Sequence, residues 1–149
     1  LAAKPIIDID VVVPSRVEMP LTIESLARLG YVHIGDLGIE DREAFESHAA
    51  LPAHHLYACV QGSAALANHL AVRDWLRRNP PTAAAYGELK KQLVRKYPAD
   101  IDSYTAGKTE FLLEILRSAG FSDAALQAIR DANLPGRAAA ARATTHEWR

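Results

Sequence analysis

The spacing of apolar positions along this chain changes near residue 63. Before it, short runs are apolar throughout or alternate residue by residue; after it, apolar side chains recur every three or four positions. Residues 5–13, Pro-Ile-Ile-Asp-Ile-Asp-Val-Val-Val, read as a strand rich in β-branched side chains, and Pro14 stops it. Leu21, Ile23, Leu26 and Leu29 fit one short helix that Gly30 caps. Residues 31–34 read as a short strand. Residues 35–53 mix glycine, acids and alanine without a sustained period and are expected to form a loop or irregular excursion. Residues 54–60 alternate again, and Gln61-Gly62 ends that strand.

Ser63 is placed to cap the first of four helices. Leu66, Leu70, Trp75 and Leu76 carry that helix to Asn79, where Pro80-Pro81 breaks it. A second, with Tyr86, Leu89, Leu93 and Val94 as its apolar stripe, runs to Tyr97 and Pro98. A third starts near Ile101, carries Tyr104, Phe111, Leu112, Ile115 and Leu116, and ends at Gly120. Ser122 caps the last, with Leu126 and Ile129. The tail from 135 to 149 is Ala/Arg-rich and weakly specified. Strands first and helices afterwards predict an α+β fold with a helical C-terminal half. One domain over residues 1–149 is expected.

Composition narrows the class. With 149 residues, 49% of them hydrophobic, and ordinary Gly, Pro and charged fractions, the chain is neither fibrous nor disordered. Its one cysteine, Cys59, forms no internal disulfide, which suits a reducing cytoplasm. There is no run of 18 apolar residues, so no membrane-spanning helix is expected. The net charge of −1 hides an asymmetry. Residues 1–62 hold four Lys/Arg against nine Asp/Glu, a net of −5, and residues 63–108 hold eight against four, a net of +4. Such a division can bind a metal and an anion together, or it is ordinary solvated surface. The basic residues form no extended stripe, so nucleic acid is not the expected partner.

Asp8 and Asp10 carry the clearest chemistry. Two apart in a strand, they share one face, while Ile7, Ile9 and Val11 point the other way, toward an expected core. Two neighbouring carboxylates repel each other unless a cation lies between them. Mg²⁺, or Mn²⁺, held by Asp8 and Asp10 suits phosphoryl or nucleotidyl transfer. If Leu56 and Ala58 face the core, His55, Tyr57 and Cys59 share the other face, and His55 and Tyr57 flank the carboxylates when the two strands are neighbours. His55 is then a metal ligand, a general base, a phosphate donor or a structural histidine. The i,i+4 pairs His69/Arg73, Tyr86/Lys90 and Tyr104/Lys108 set a ring beside a cation. That arrangement contacts phosphates through Arg73, Lys90 and Lys108 and a base through Tyr86 or Tyr104, or it is ordinary packing of Lys over Tyr.

These blocks resemble the GrpB family. The resemblance rests on Lys4-Pro5-Ile6-Ile7-Asp8-Ile9-Asp10-Val11, His55-Leu56-Tyr57, the helix from His69 to Arg77, Tyr86 to Leu93 and Tyr104 to Phe111, and extends to about residue 118. It implies a nucleotidyltransferase-like fold related to the DNA polymerase β superfamily, with a small mixed sheet, flanking helices and a nucleoside triphosphate pocket. It also implies a metal motif at Asp8 and Asp10. The third carboxylate usual on a neighbouring strand has no equivalent, and His55 or Tyr57 takes its place. A helix and a Gly-Ser turn are expected ahead of Leu1. Family members occur alone or fused to dephospho-CoA kinase. The expected activity is Mg²⁺-dependent nucleotidyl transfer to an acceptor. The alternatives are a non-catalytic nucleotide-binding or partner module, linked to coenzyme A metabolism, and a hydrolase built on His55 and the Asp pair.

Overall fold

The computed structural model describes residues 6–46, 48 and 50–133. Lys4 and Pro5 of the signature and the tail from residue 135 lie outside the described residues. The described residues gather into two compact units, one up to Ala67 and the other from Asn68.

The first unit is built on a four-stranded mixed sheet in the order β1-β4-β3-β2. The strands are β1 (Ile7–Val13), β2 (His33–Gly35), β3 (Arg42–Phe45) and β4 (His54–Val60), and helix α1 (Met19–Arg28) joins the first two. β1 runs parallel to β4, while β3 is antiparallel to both β4 and β2. One sheet face holds the core. Val13, Phe45, Leu56 and Ala58 pack there with Met19 and Leu26 of α1, and Val11, Ile23, Tyr31 and Val60 close around them. The buried stripe of α1 is therefore Met19, Ile23 and Leu26. Leu21 and Leu29, expected on it, are 61% and 67% exposed.

Two expectations are corrected here. Residues 35–53 contain a strand, β3. Its sequence Arg-Glu-Ala-Phe has no β-branched residue and is too short to show a period. It forms because β2 and β4 supply hydrogen-bonding edges on both sides. Leu37 and Asp41, at φ 52° and 60°, turn the chain into it. The second correction concerns β1, which is apolar enough to suggest burial but is an edge strand. Ile7 is 58% exposed and Ile9 38%, while Val13 at the other end is 1% exposed. Only the C-terminal end of β1 reaches the core beneath α1.

The second unit is helical. Helix α2 (Ala64–Arg78) enters it and is followed by α3 (Pro80–Lys96), α4 (Ile101–Ser118) and α5 (Asp123–Ala132). Local chemistry sets the boundaries. Ser63 Oγ accepts from Leu66 N–H, Asp100 Oδ1 from Ser103 N–H at 2.9 Å, and Ser122 Oγ from Ala125 N–H at 3.3 Å. Pro80 and Pro81 stand in the first turn of α3, where a missing N–H costs nothing. Leu113, Leu116 and Leu126 form the core with Ala71, Val72, Phe121 and Ile129. Tyr86 stacks on Phe111 at 5.3 Å between centroids. Gly107 lets α4 come close to α3, since a Cβ there would stand 2.5 Å from Leu93 Cδ2.

Candidate functional site

The register of the sheet assembles a polar face opposite the core. Asp8 lies opposite His55 and Asp10 opposite Tyr57 across the parallel β1/β4 ladder. Leu56 and Ala58 are buried in the core, so His55, Tyr57 and Cys59 face the other way, alongside the two carboxylates. Asp8 Oδ1 lies 2.9 Å from His55 Nδ1, with both side chains largely exposed. The Cys59 thiol donates to Asp10 Oδ1 at 3.6 Å. Each of these contacts holds one carboxylate oxygen against β4. Burial pushes the Cys59 thiol up to about 12, helped by the charge of Asp10 and the hydrogen bond to it, with Arg42 acting the other way. Cys59 therefore stands on this face as a neutral hydrogen-bond donor to Asp10.

The face also holds a residue outside the sequence expectation. Arg42 of β3 lies opposite Cys59, which places it on the polar side. It is 8% exposed, and its guanidinium carbon stands 4.7 Å from the centroid of the Tyr57 ring. Burial pulls its pKa down, and Tyr57, Cys59, Asp10 and Asp36 act against that pull. The signal was the alternation of Arg42 and Ala44 against Glu43 and Phe45, which four residues are too few to reveal.

Two hard carboxylate oxygens on one face fit Mg²⁺ or Mn²⁺, which need only one or two protein carboxylates when substrate phosphates complete the shell. Among the described residues of this face, no third carboxylate joins them on β3 or β4; His55, Tyr57, Cys59 and Arg42 stand there instead. His54, the neighbour of His55, faces the core side. Its Nδ1 lies 2.7 Å from the Pro52 carbonyl, an acceptor only, so Nδ1 carries the proton and Nε2 accepts from the Tyr31 hydroxyl at 3.0 Å. That makes His54 structural.

The remaining expected site residues belong to the helical unit. Arg73 of α2 donates from Nε to Asp74 at 2.8 Å. Lys90 Nζ stands 4.7 Å from the Tyr86 ring and Lys108 Nζ 4.5 Å from the Tyr104 ring, so both i,i+4 pairs form as spaced. Tyr86 is 8% exposed and stacked on Phe111, which makes it a core ring and removes it as a platform for a base. Tyr104 is half-buried, and burial raises its pKa.

Comparison with known proteins follows the same blocks. The model of the GrpB protein family matches residues 1–118. The chain is 38% identical over 112 residues to UPF0157 protein YqkA of Bacillus subtilis, covering 75% of this chain and 33% of that protein. It is 36% identical over 121 residues to glutamate-rich protein GrpB of Alkalihalophilus pseudofirmus, covering 78% and 70%. The crystal structure of conserved protein GrpB from Enterococcus faecalis superposes with a TM-score of 0.68 at 35% identity, over 78% of this chain and 70% of that one. The chain thus spans between a third and about two thirds of the length of these relatives.

Proposed function

This chain belongs to the GrpB family, and from that premise we propose that its strand-bearing unit binds a nucleoside triphosphate with Mg²⁺ or Mn²⁺ and transfers a nucleotidyl group to an acceptor. The observation that carries the reading is the same-face pair Asp8 and Asp10 with His55 hydrogen-bonded to Asp8. Asp8 and Asp10 would hold the cation, which supplies charge neutralisation at the phosphates. His55 orients the Asp8 carboxylate through Nδ1 and leaves Nε2 free of that bond for a proton or a phosphate oxygen. Tyr57, beside Asp10 in register, offers a hydroxyl to the same face. Arg73, Lys90, Tyr104 and Lys108 of the helical unit are not called on by this reading.

The test is calorimetry of the full chain with Mg²⁺ and a panel of nucleoside triphosphates. Binding is expected in the wild type, and the double substitution Asp8→Asn/Asp10→Asn is expected to weaken it at least about tenfold, as for loss of charge-assisted ligation. Equal affinity in the double variant would overturn the reading. A second reading, nucleotide binding without transfer, is favoured by Arg42 standing on the face where a third carboxylate is usual. Pyrophosphate release measured across a panel of acceptors separates the two: release supports transfer, and binding without release supports the non-catalytic module.

A further inference from the structure

The polar face carries one buried cation whose hydrogen bonding is incomplete. Arg42 is 8% exposed, and its Nε is buried with no hydrogen-bond partner among the described residues. Buried side-chain donors are almost always paired, and a donor on a charged group is the most costly kind to leave unpaired. The register explains why the charge is there at all. Arg42 cannot turn to the core side, where its neighbours Glu43 and Phe45 oppose Ala58 and Leu56, so it lies against Tyr57 and Cys59. The guanidinium lies against the Tyr57 ring, and a guanidinium's planar fork matches the geometry of an oxyanion. Asp10, on the same face, repels an anion on its own but attracts one carrying a divalent cation.

We propose that Arg42 is the anion anchor of this face and takes a phosphate oxygen of a polyphosphate ligand, across from the carboxylates on β1. The proposal rests on the triphosphate reading given above and adds to it the residue that receives the phosphate. It makes the face a carboxylate-and-guanidinium site, with one cation from solution on the acids and one built into β3, in place of a cluster of three acids.

Inorganic triphosphate is the probe, titrated into the full chain in EDTA and then in Mg²⁺, with circular dichroism to confirm folding. Arg42→Gln and Arg42→Met are compared with the wild type. The methionine variant replaces the buried charge by an apolar chain of similar length, a change that folded proteins commonly tolerate. Both are expected to weaken triphosphate binding about ten- to a hundredfold in either buffer, the range of a lost charge-assisted hydrogen bond. Asp8→Asn/Asp10→Asn is expected to keep the binding seen in EDTA and to lose the gain from Mg²⁺. Affinity within about twofold of wild type in a folded Arg42 variant overturns the proposal. So does a wild type that shows neither heat nor a rise in melting temperature with triphosphate in either buffer. If binding depends on Arg42 while Mg²⁺ adds nothing, the metal reading falls and the anion anchor stands. If Mg²⁺ and the acids matter while Arg42 does not, the reverse holds.

Discussion

At the scale of single residues, the polar face is controlled by which atoms are already engaged. Asp8 is tied to His55 and Asp10 to Cys59, so one oxygen of each acid is held by a neighbour on β4. Cys59 is fully buried and its thiol is held neutral up to about 12, against an ordinary 9.0. Because the thiolate is the reactive form, Cys59 in the native chain is expected to resist a disulfide reagent at pH 8 and pH 9, and to react at once after unfolding in guanidinium. A rapid native reaction would contradict this burial. The same shift gives a pH dependence. Between pH 9 and about 12 the unfolded chain has lost a proton that the folded chain keeps, so the unfolded state binds fewer protons. Stability is then expected to fall as pH rises through that window, and the Cys59→Ala variant should fall less steeply in urea titrations at pH 8 and 10. The acid pair was readable in the sequence because a spacing of two has one meaning in a strand. Arg42 was not, because its partners lie in a strand about fifteen residues further on and no local period points to them.

At the scale of elements, β1 grades from solvent to core along its length. Ile7 at one end is largely exposed, while Val13 at the other packs with Leu56 and Met19. Val13→Ala is expected to cost about 2 kcal/mol, in the range of buried methyl deletions. Ile7→Thr should stay within about 0.5 kcal/mol, as for exposed positions. Urea unfolding of the two variants measures the gradient, and equal costs would contradict the graded burial of β1. The helices obey their terminal signals more closely. Ser122 was expected as a cap and holds Ala125 N–H. Ser122→Ala is expected to lose about 1 kcal/mol, read from the thermal midpoint. Capping is legible in sequence because donor and acceptor lie three residues apart. The α1 stripe was only half legible, because Leu21 and Leu29 satisfy the helical period while facing away from the sheet.

At the scale of the molecule, two units each carry their own core. In the helical unit, Leu116 is fully buried between Leu113 and Leu126. Leu116→Ala is expected to cost about 3 kcal/mol by leaving a cavity, measured by urea unfolding followed through helical circular dichroism. The charge asymmetry of the sequence follows the same division. The net −5 lies over residues 1–62, which carry the sheet, and the net +4 over residues 63–108, which carry α2, α3 and the first turns of α4. The basic pairs on α3 and α4 are in place, but each lysine lies over its own ring, where it is held by ordinary helix packing. The α+β class, the order of the helices and of β1, β2 and β4, the Ser63 and Ser122 caps and the shared face of Asp8 and Asp10 could all be read from residue order. Each depends on backbone periods and contacts spanning a few residues, which sequence records directly. The edge position of β1, the strand at 42–45, the core role of Tyr86 and the arrival of Arg42 beside Tyr57 could not. Each is set by pairing and burial between segments far apart in the chain, and those follow from the folded sheet and helices rather than from any local pattern.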